Sequence, residues 1–152
     1  PKSGLKNNML YNHTQVGRLM ITILFIIAVY FVFIFKTVES DRSIIAVLIL
    51  VLFILLSFVS LNVRIDEKHL RIKFGYGIFR KRFALSEIIS VKAVKNHWYY
   101  GWGIRVWFWP LMHIFNVSGF DAVEIRMKDS KIYRIGTDES QKLELAITEA
   151  IK

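Results

Sequence analysis

The chain has no cysteine among its 152 residues and only two prolines. The first absence excludes disulfides and thiolate chemistry. The second leaves few points at which a strand or helix must stop. A third absence matters more. From Leu19 to Phe35, and again from Ile44 to Val59, there is no charged residue. Acids, bases and histidines are missing from the interior of both runs, so neither carries the polar mark of a proton relay, ion path or transport site.

What the two runs do contain is Ile, Leu, Val and Phe. They are 17 and 16 residues long. Arg18 and Lys36 bracket the first, and Arg42 and Arg64 bracket the second. Gly17, Ser43, Ser57, Ser60 and Leu61 extend them. A bilayer core of roughly 30 Å takes about 20 apolar residues in helix, so both are expected to span, as a two-helix hairpin over residues 17–61. The charged stretch Lys36 to Arg42 is not a cleavage site, and a removed signal peptide is not expected. Pro1 is what loss of an initiator methionine would leave.

The net charge is +9 and is unevenly placed. Lys2, Lys6 and Arg18 precede the first run with no acid. The loop between the runs carries two bases and two acids. Positive flanks stay on the cytoplasmic side. The expected location is therefore a cell membrane, with both termini cytoplasmic. Residues 1–16 read as a polar N-terminal cytoplasmic tail.

After Leu61 the apolar period becomes two. Val63 and Ile65 flank Arg64, while Leu70, Ile72 and Phe74 alternate with Arg71 and Lys73. Strands half-buried on one face read this way. Asp66-Glu67-Lys68 and Gly75-Tyr76-Gly77 are turns. Phe79–Leu85, Ser90–Lys95 and two segments around Asp129-Ser130 complete six or seven short strands in an antiparallel meander. Asp138 with Gln141 predicts a capping box. Leu143, Ala146, Ile147, Ala150 and Ile151 recur at helical spacing and predict a C-terminal helix lying on the sheet.

The order RIDEKHLRIKFGYGIFRKRFALSEIISVKAV resembles the opening of bacterial pleckstrin-homology-like (PH-like) domains of small membrane proteins. In these a strand pair precedes a basic strand and an L-x-E/D-I-x-x-V step, here Leu85 to Val91. A second block, at Gly101–Arg105, Asn116–Ile125 and Arg134–Glu139, is similar to a subset of that family. The resemblance covers about 90 residues. It implies an α+β cytoplasmic domain over 62–152, an antiparallel six- or seven-stranded barrel or sandwich capped by one C-terminal helix. It implies no shared catalytic residues and no cofactor. The aromatic insertion from Tyr99 to Phe115 departs from a plain barrel.

Two constellations could carry function. From Arg64 to Arg105 there are ten Lys or Arg against three acids. Lys73, Arg80, Lys81 and Arg82 match the loose basic pattern of phosphoinositide-binding PH domains and are the candidate lipid-headgroup contacts. Solvated strand residues match it equally well. The second is nine aromatic residues between Trp98 and Phe120, among them all four tryptophans. A small barrel cannot bury so many rings, so Trp98, Trp102, Trp107, Phe108 and Trp109 are candidates for docking on a membrane interface or a partner. Pro110 should break any strand there.

His13, His69, His97 and His113 are scattered, with no metal-ligand spacing. Asp121 and Glu124 read as cross-strand charge partners, not an acid–base pair. The expected function is a non-catalytic, membrane-anchored interaction module, an accessory or assembly subunit of a larger membrane complex. The competing function is an anionic-lipid sensor signalling through its spans. Expected partners are membrane lipids and other membrane subunits, with a homo-oligomer open and no nucleic acid.

Overall fold

A computed structural model describes residues 9–37, 39, 41–108 and 111–152. The first described element is a strand, β1 (Tyr11–Val16), within the segment read as a polar tail. Two helices follow, α1 (Arg18–Thr37) and α2 (Arg42–Leu56). Eight further strands come next: β2 (Ser60–Ile65), β3 (His69–Phe74), β4 (Arg80–Ala84), β5 (Ile88–Lys95), β6 (Gly103–Phe108), β7 (Leu111–Asn116), β8 (Asp121–Met127) and β9 (Ile132–Gly136). Helix α3 (Ser140–Ala150) closes the chain.

Helix α1 is 20 residues, about 30 Å, and is long and apolar enough to cross a membrane. Helix α2 is not. It has 15 residues, about 22 Å, so one helix and not two meets the length for spanning. The reason lies in the domain below. Ser57 and Phe58 leave the helix to form a turn, and the Phe58 ring stacks on Phe79 at 5.1 Å and meets Phe74 at 5.4 Å. Core packing thus takes the last residues of the second apolar run. Asp41 caps the start of α2 by accepting from Ser43 N–H. Neither helix buries a side chain, and residues such as Phe25, Phe33 and Phe53 stand exposed.

The helical pair is inserted between two strands that pair with each other. β1 and β2 run antiparallel, from Tyr11↔Ile65 to Val16↔Ser60, and Gly17 N–H donates to Val59 O at 2.6 Å. The chain therefore leaves the sheet into α1 and returns from α2 at adjacent points. Only Gly17 separates β1 from α1, and only Ser57, Phe58 and Val59 separate α2 from β2.

Among the described residues nine strands form two sheets, in orders β1-β2-β3-β4 and β5-β8-β9-β7-β6. Of the expected six- or seven-stranded barrel or sandwich, the antiparallel sheets and the C-terminal helix are present; the strand number is corrected to nine, and the described residues form no closed barrel. One pairing, β7 with β9, is parallel. It arises because β8 pairs with both β5 and β9, which pushes the β6–β7 hairpin to the far edge.

Leu61, Val63 and Ile65 of β2 and Leu70, Ile72 and Phe74 of β3 turn inward. They meet Phe115, Val123, Ile125, Tyr133 and Ile135 of the second sheet. Leu143 and Ile147 of α3 complete this core, fully buried. The capping box does not form. Helix α3 starts at Ser140, and its preceding residue Glu139 donates its N–H to Thr137 Oγ1 instead. Asp138 is engaged elsewhere, by His13.

Candidate functional site: a basic sheet face beside the helical pair

Alternation along β2, β3 and β4 sends every second side chain to the outside. Register aligns those residues in two cross-strand rows. Thr14, Asn62, Lys73 and Arg80 form the row nearer the helices; Asn12, Arg64, Arg71 and Arg82 form the next. Five cations thus share one face. They line a concavity of about 500 Å³ together with Asn62, Ile72 and Lys81.

The floor is held by a polar network. Asn62 is nearly buried, and its Nδ2 donates to Thr14 Oγ1 at 2.7 Å and Asn12 Oδ1 at 2.9 Å. Arg71 pairs with Asp66 at 3.0 Å, and Arg80 Nε donates to Gly77 O at 2.6 Å. Among the described residues no carboxylate pairs with Arg64, Lys73 or Arg82. Like charges held side by side across strands repel, so this arrangement favours an anion above it.

Burial pushes the Asp66 carboxyl up, but the N–H groups of Lys68 and His69 and the Arg71 guanidinium outweigh it. The carboxyl is held below its ordinary value. Asp66 Oδ1 accepts from Lys68 N at 2.9 Å and His69 N at 2.8 Å, which fixes the β2–β3 turn and with it the register of the basic rows.

Three of the four basic candidates meet on this face: Lys73, Arg80 and Arg82. Lys81 borders the same concavity but stands out of register with the two rows, its ammonium turned toward the core side. It pairs with inward-facing Ile72, and its Nζ lies 5.7 Å from the Tyr133 ring centre. A strand cannot present three consecutive residues to one side. Conversely, Arg64 and Arg71 belong to the face and were not among the candidates. The signal was present: a turn at Asp66–Lys68 sets Arg64 opposite Arg71.

The face lies close to the helices. Asn62 and Lys73 are about 7 Å of strand from Ser60, and Arg64 and Arg71 about 14 Å. The β3–β4 turn touches α2 itself. Tyr76 OH donates to Phe53 O, and the two rings lie 5.1 Å apart.

The aromatic candidates are dispersed. Trp102 Nε1 donates to Gly119 O at 3.2 Å and its ring lies 6.1 Å from Phe120. This pair sits beside the base of the helices, because Gln15 donates to Ser118 O and Gly17 abuts Val117. Trp98 is exposed at the start of a 3-10 turn (Trp98–Tyr100) in the β5–β6 crossover. Trp107 is half-buried against Tyr99 and Tyr100, in a second small core with Met112 and Ile114. Phe108, at the other end of β6 from Trp102, is 83% exposed. Trp109, like Pro110, lies outside the described residues.

Glu124 pairs across strands with Arg134 at 2.9 Å, and Arg134 also donates to Asn96 and lies over Tyr100. His13, without acidic neighbours in sequence, gains two in space: Asp138 at 2.6 Å and Glu139 at 3.5 Å. No group of three or more His, Asp or Glu among the described residues could hold a metal ion. No family model, curated protein or solved structure matches this chain.

Proposed function

We propose that this chain is a non-catalytic, membrane-anchored module whose basic sheet face engages anionic lipid headgroups. The observation that carries the proposal is that β2, which bears Arg64 and pairs with β3, follows α2 after a turn of three residues. Headgroups occupy about 6 Å on each side of the hydrocarbon core. Long Arg and Lys side chains two or four strand positions from Ser60 reach toward that layer.

The pairing of β1 with β2 supports a hairpin that enters and leaves on one side. A single crossing would put two hydrogen-bonded strands on opposite sides of the bilayer. Helix α2 therefore returns through it, its shortfall met by local thinning and by Arg42 reaching to the surface. This reading keeps the domain and both termini on the cytoplasmic side of a bacterial cytoplasmic membrane. Two stacked sheets with a C-terminal helix support the PH-like resemblance; the parallel β7–β9 pair departs from it.

The test uses the full chain reconstituted with a spin-labelled anionic lipid in a neutral bilayer. Each face cation contributes about 1 kcal/mol to such an attraction. Changing Arg64 and Arg82 together to Ala should reduce the immobilised lipid fraction severalfold. Equal immobilisation in wild type and variant would sink the proposal. A second reading, as an accessory subunit of a membrane complex, is favoured by the exposed apolar end of the β6–β7 hairpin, where Phe108 and Leu111 pair.

A further inference from the structure

Loops at opposite ends of the strands differ in charge. Away from the helices, the β2–β3 turn carries Asp66, Glu67 and Lys68, and the β8–β9 turn carries Lys128, Asp129 and Lys131. Two loops at the helix end carry no charge. The β3–β4 turn is Gly75-Tyr76-Gly77-Ile78-Phe79, and the β7–β8 loop is Val117-Ser118-Gly119-Phe120. Phe79 packs on the core against Phe58. Tyr76, Ile78 and Phe120 do not, and each is about half exposed.

Both loops are seated on the helical pair. The first lies against α2, where Tyr76 OH donates to Phe53 O and the two rings are 5.1 Å apart. Phe53 precedes Ser57 by four residues, about one turn of helix, so Tyr76 stands alongside the second apolar run itself. The other loop lies against the start of α1. Gln15 donates to Ser118 O at 3.1 Å, and a Cβ on Gly17 would be 3.0 Å from Val117 O. Gly17 immediately precedes Arg18, the last charge before the first apolar run. Trp102 backs this loop, its Nε1 donating to Gly119 O and its ring 6.1 Å from Phe120.

We propose that the β3–β4 and β7–β8 loops enter the membrane interface, with Ile78 and Phe120 against acyl chains and Tyr76 and Trp102 at headgroup level. This rests on the membrane-anchored reading above. The occupant is lipid because the apolar surface of the loops is continuous with the helices. No more than about a turn of helix separates either loop from an apolar run, which leaves no room for a protein between loop and bilayer. Aromatic rings with one apolar and one polar edge favour that layer. Two consequences follow from the geometry. Helix α2 is the short one, and a β3–β4 turn drawn into the interface shortens the distance α2 must cross. The same turn joins Lys73 to Arg80, so its depth sets the height of the basic row nearer the helices.

The absence of cysteine makes the experiment direct. Four single variants of the full chain, Ile78→Cys, Phe120→Cys, Glu67→Cys and Val29→Cys, are spin-labelled and reconstituted in neutral phosphatidylcholine vesicles. Oxygen, which concentrates in the bilayer, and a water-soluble nickel chelate are compared as relaxing agents. Glu67 is exposed on the β2–β3 turn and serves as the aqueous reference; Val29 lies within α1. The oxygen-to-nickel ratio at positions 78 and 120 should exceed that at 67 by about threefold or more, and the ratio at 29 should be the highest.

A label at 78 or 120 as open to nickel as the one at 67, with 29 closed to nickel, overturns this inference and leaves the membrane reading standing. A label at 29 that is open to nickel overturns both. Shielding of 78 or 120 from both agents places protein there, a second copy of the chain, and also overturns the inference.

Discussion

A Cβ placed on Gly75 would lie 2.5 Å from the carbonyl oxygen of Ser57. Gly75 begins the turn after β3, and Ser57 ends α2, so this contact seats the β3–β4 turn against the base of the second helix. The φ of Gly75 is +49°, where side chains are strained. Clash and strain act together, and Gly75→Ala should cost about 2–3 kcal/mol. Thermal unfolding of the purified chain in detergent checks this. An unchanged midpoint would show that the turn and helix are not seated together.

Arg134 holds the β5–β6 crossover onto the second sheet through Glu124, Asn96 and the Tyr100 ring. Both charged side chains are largely buried, and breaking such a pair from one side costs about 3 kcal/mol. Arg134→Ala should therefore destabilise the chain by about that amount and loosen the crossover around Trp98–Tyr100. A red shift of tryptophan emission and quicker quenching by iodide are the expected signals.

Tyr11 is the site of an alkaline effect. Burial, then the Glu139 charge, push its hydroxyl up to about 12. The folded value lies above the unfolded one, so the stabilisation is complete below about pH 10 and is lost as pH rises from there toward 12. Tyr11→Phe should remove this part of the alkaline loss. Unfolding curves of the two proteins should converge between pH 10 and 12; a constant gap across that range would contradict the assignment.

Asp66 works in the opposite sense. Its folded carboxyl lies below its ordinary value, so its stabilisation is present above about pH 4 and is lost as pH falls through the folded value. Asp66→Asn should be destabilised at pH 7 by about 1 kcal/mol and lose less than wild type on acidification. The same variant frees the Arg71 guanidinium of its carboxylate partner, so anionic-lipid immobilisation should rise.

Arg82 and Lys81 are neighbours in sequence but point to opposite sides of β4. Arg82→Glu should reduce the immobilised anionic lipid at least fivefold, whereas Lys81→Glu should change it far less. Equal effects would mean that charge alone, and not the sheet face, attracts the headgroups.

The sequence by itself determined what composition and period control. Uninterrupted apolar residues made a helix of spanning length over Arg18–Thr37. Alternation made β2, β3, β5 and β8 readable, and the stripe Leu143–Ile147 placed the last helix on the core. Local spacing carries these because each depends on neighbours within a turn or two. Tertiary structure alone decided the rest. Tyr11–Val16 is polar and alternates weakly, and it becomes a strand only because Ser60–Ile65 offers it an edge. The second apolar run stops being helix at Leu56 because Phe58 packs on Phe74 and Phe79. Arg64 joined Arg71 and Arg82, and Lys81 left them, through cross-strand register, which couples residues too distant in the chain for any local pattern to record.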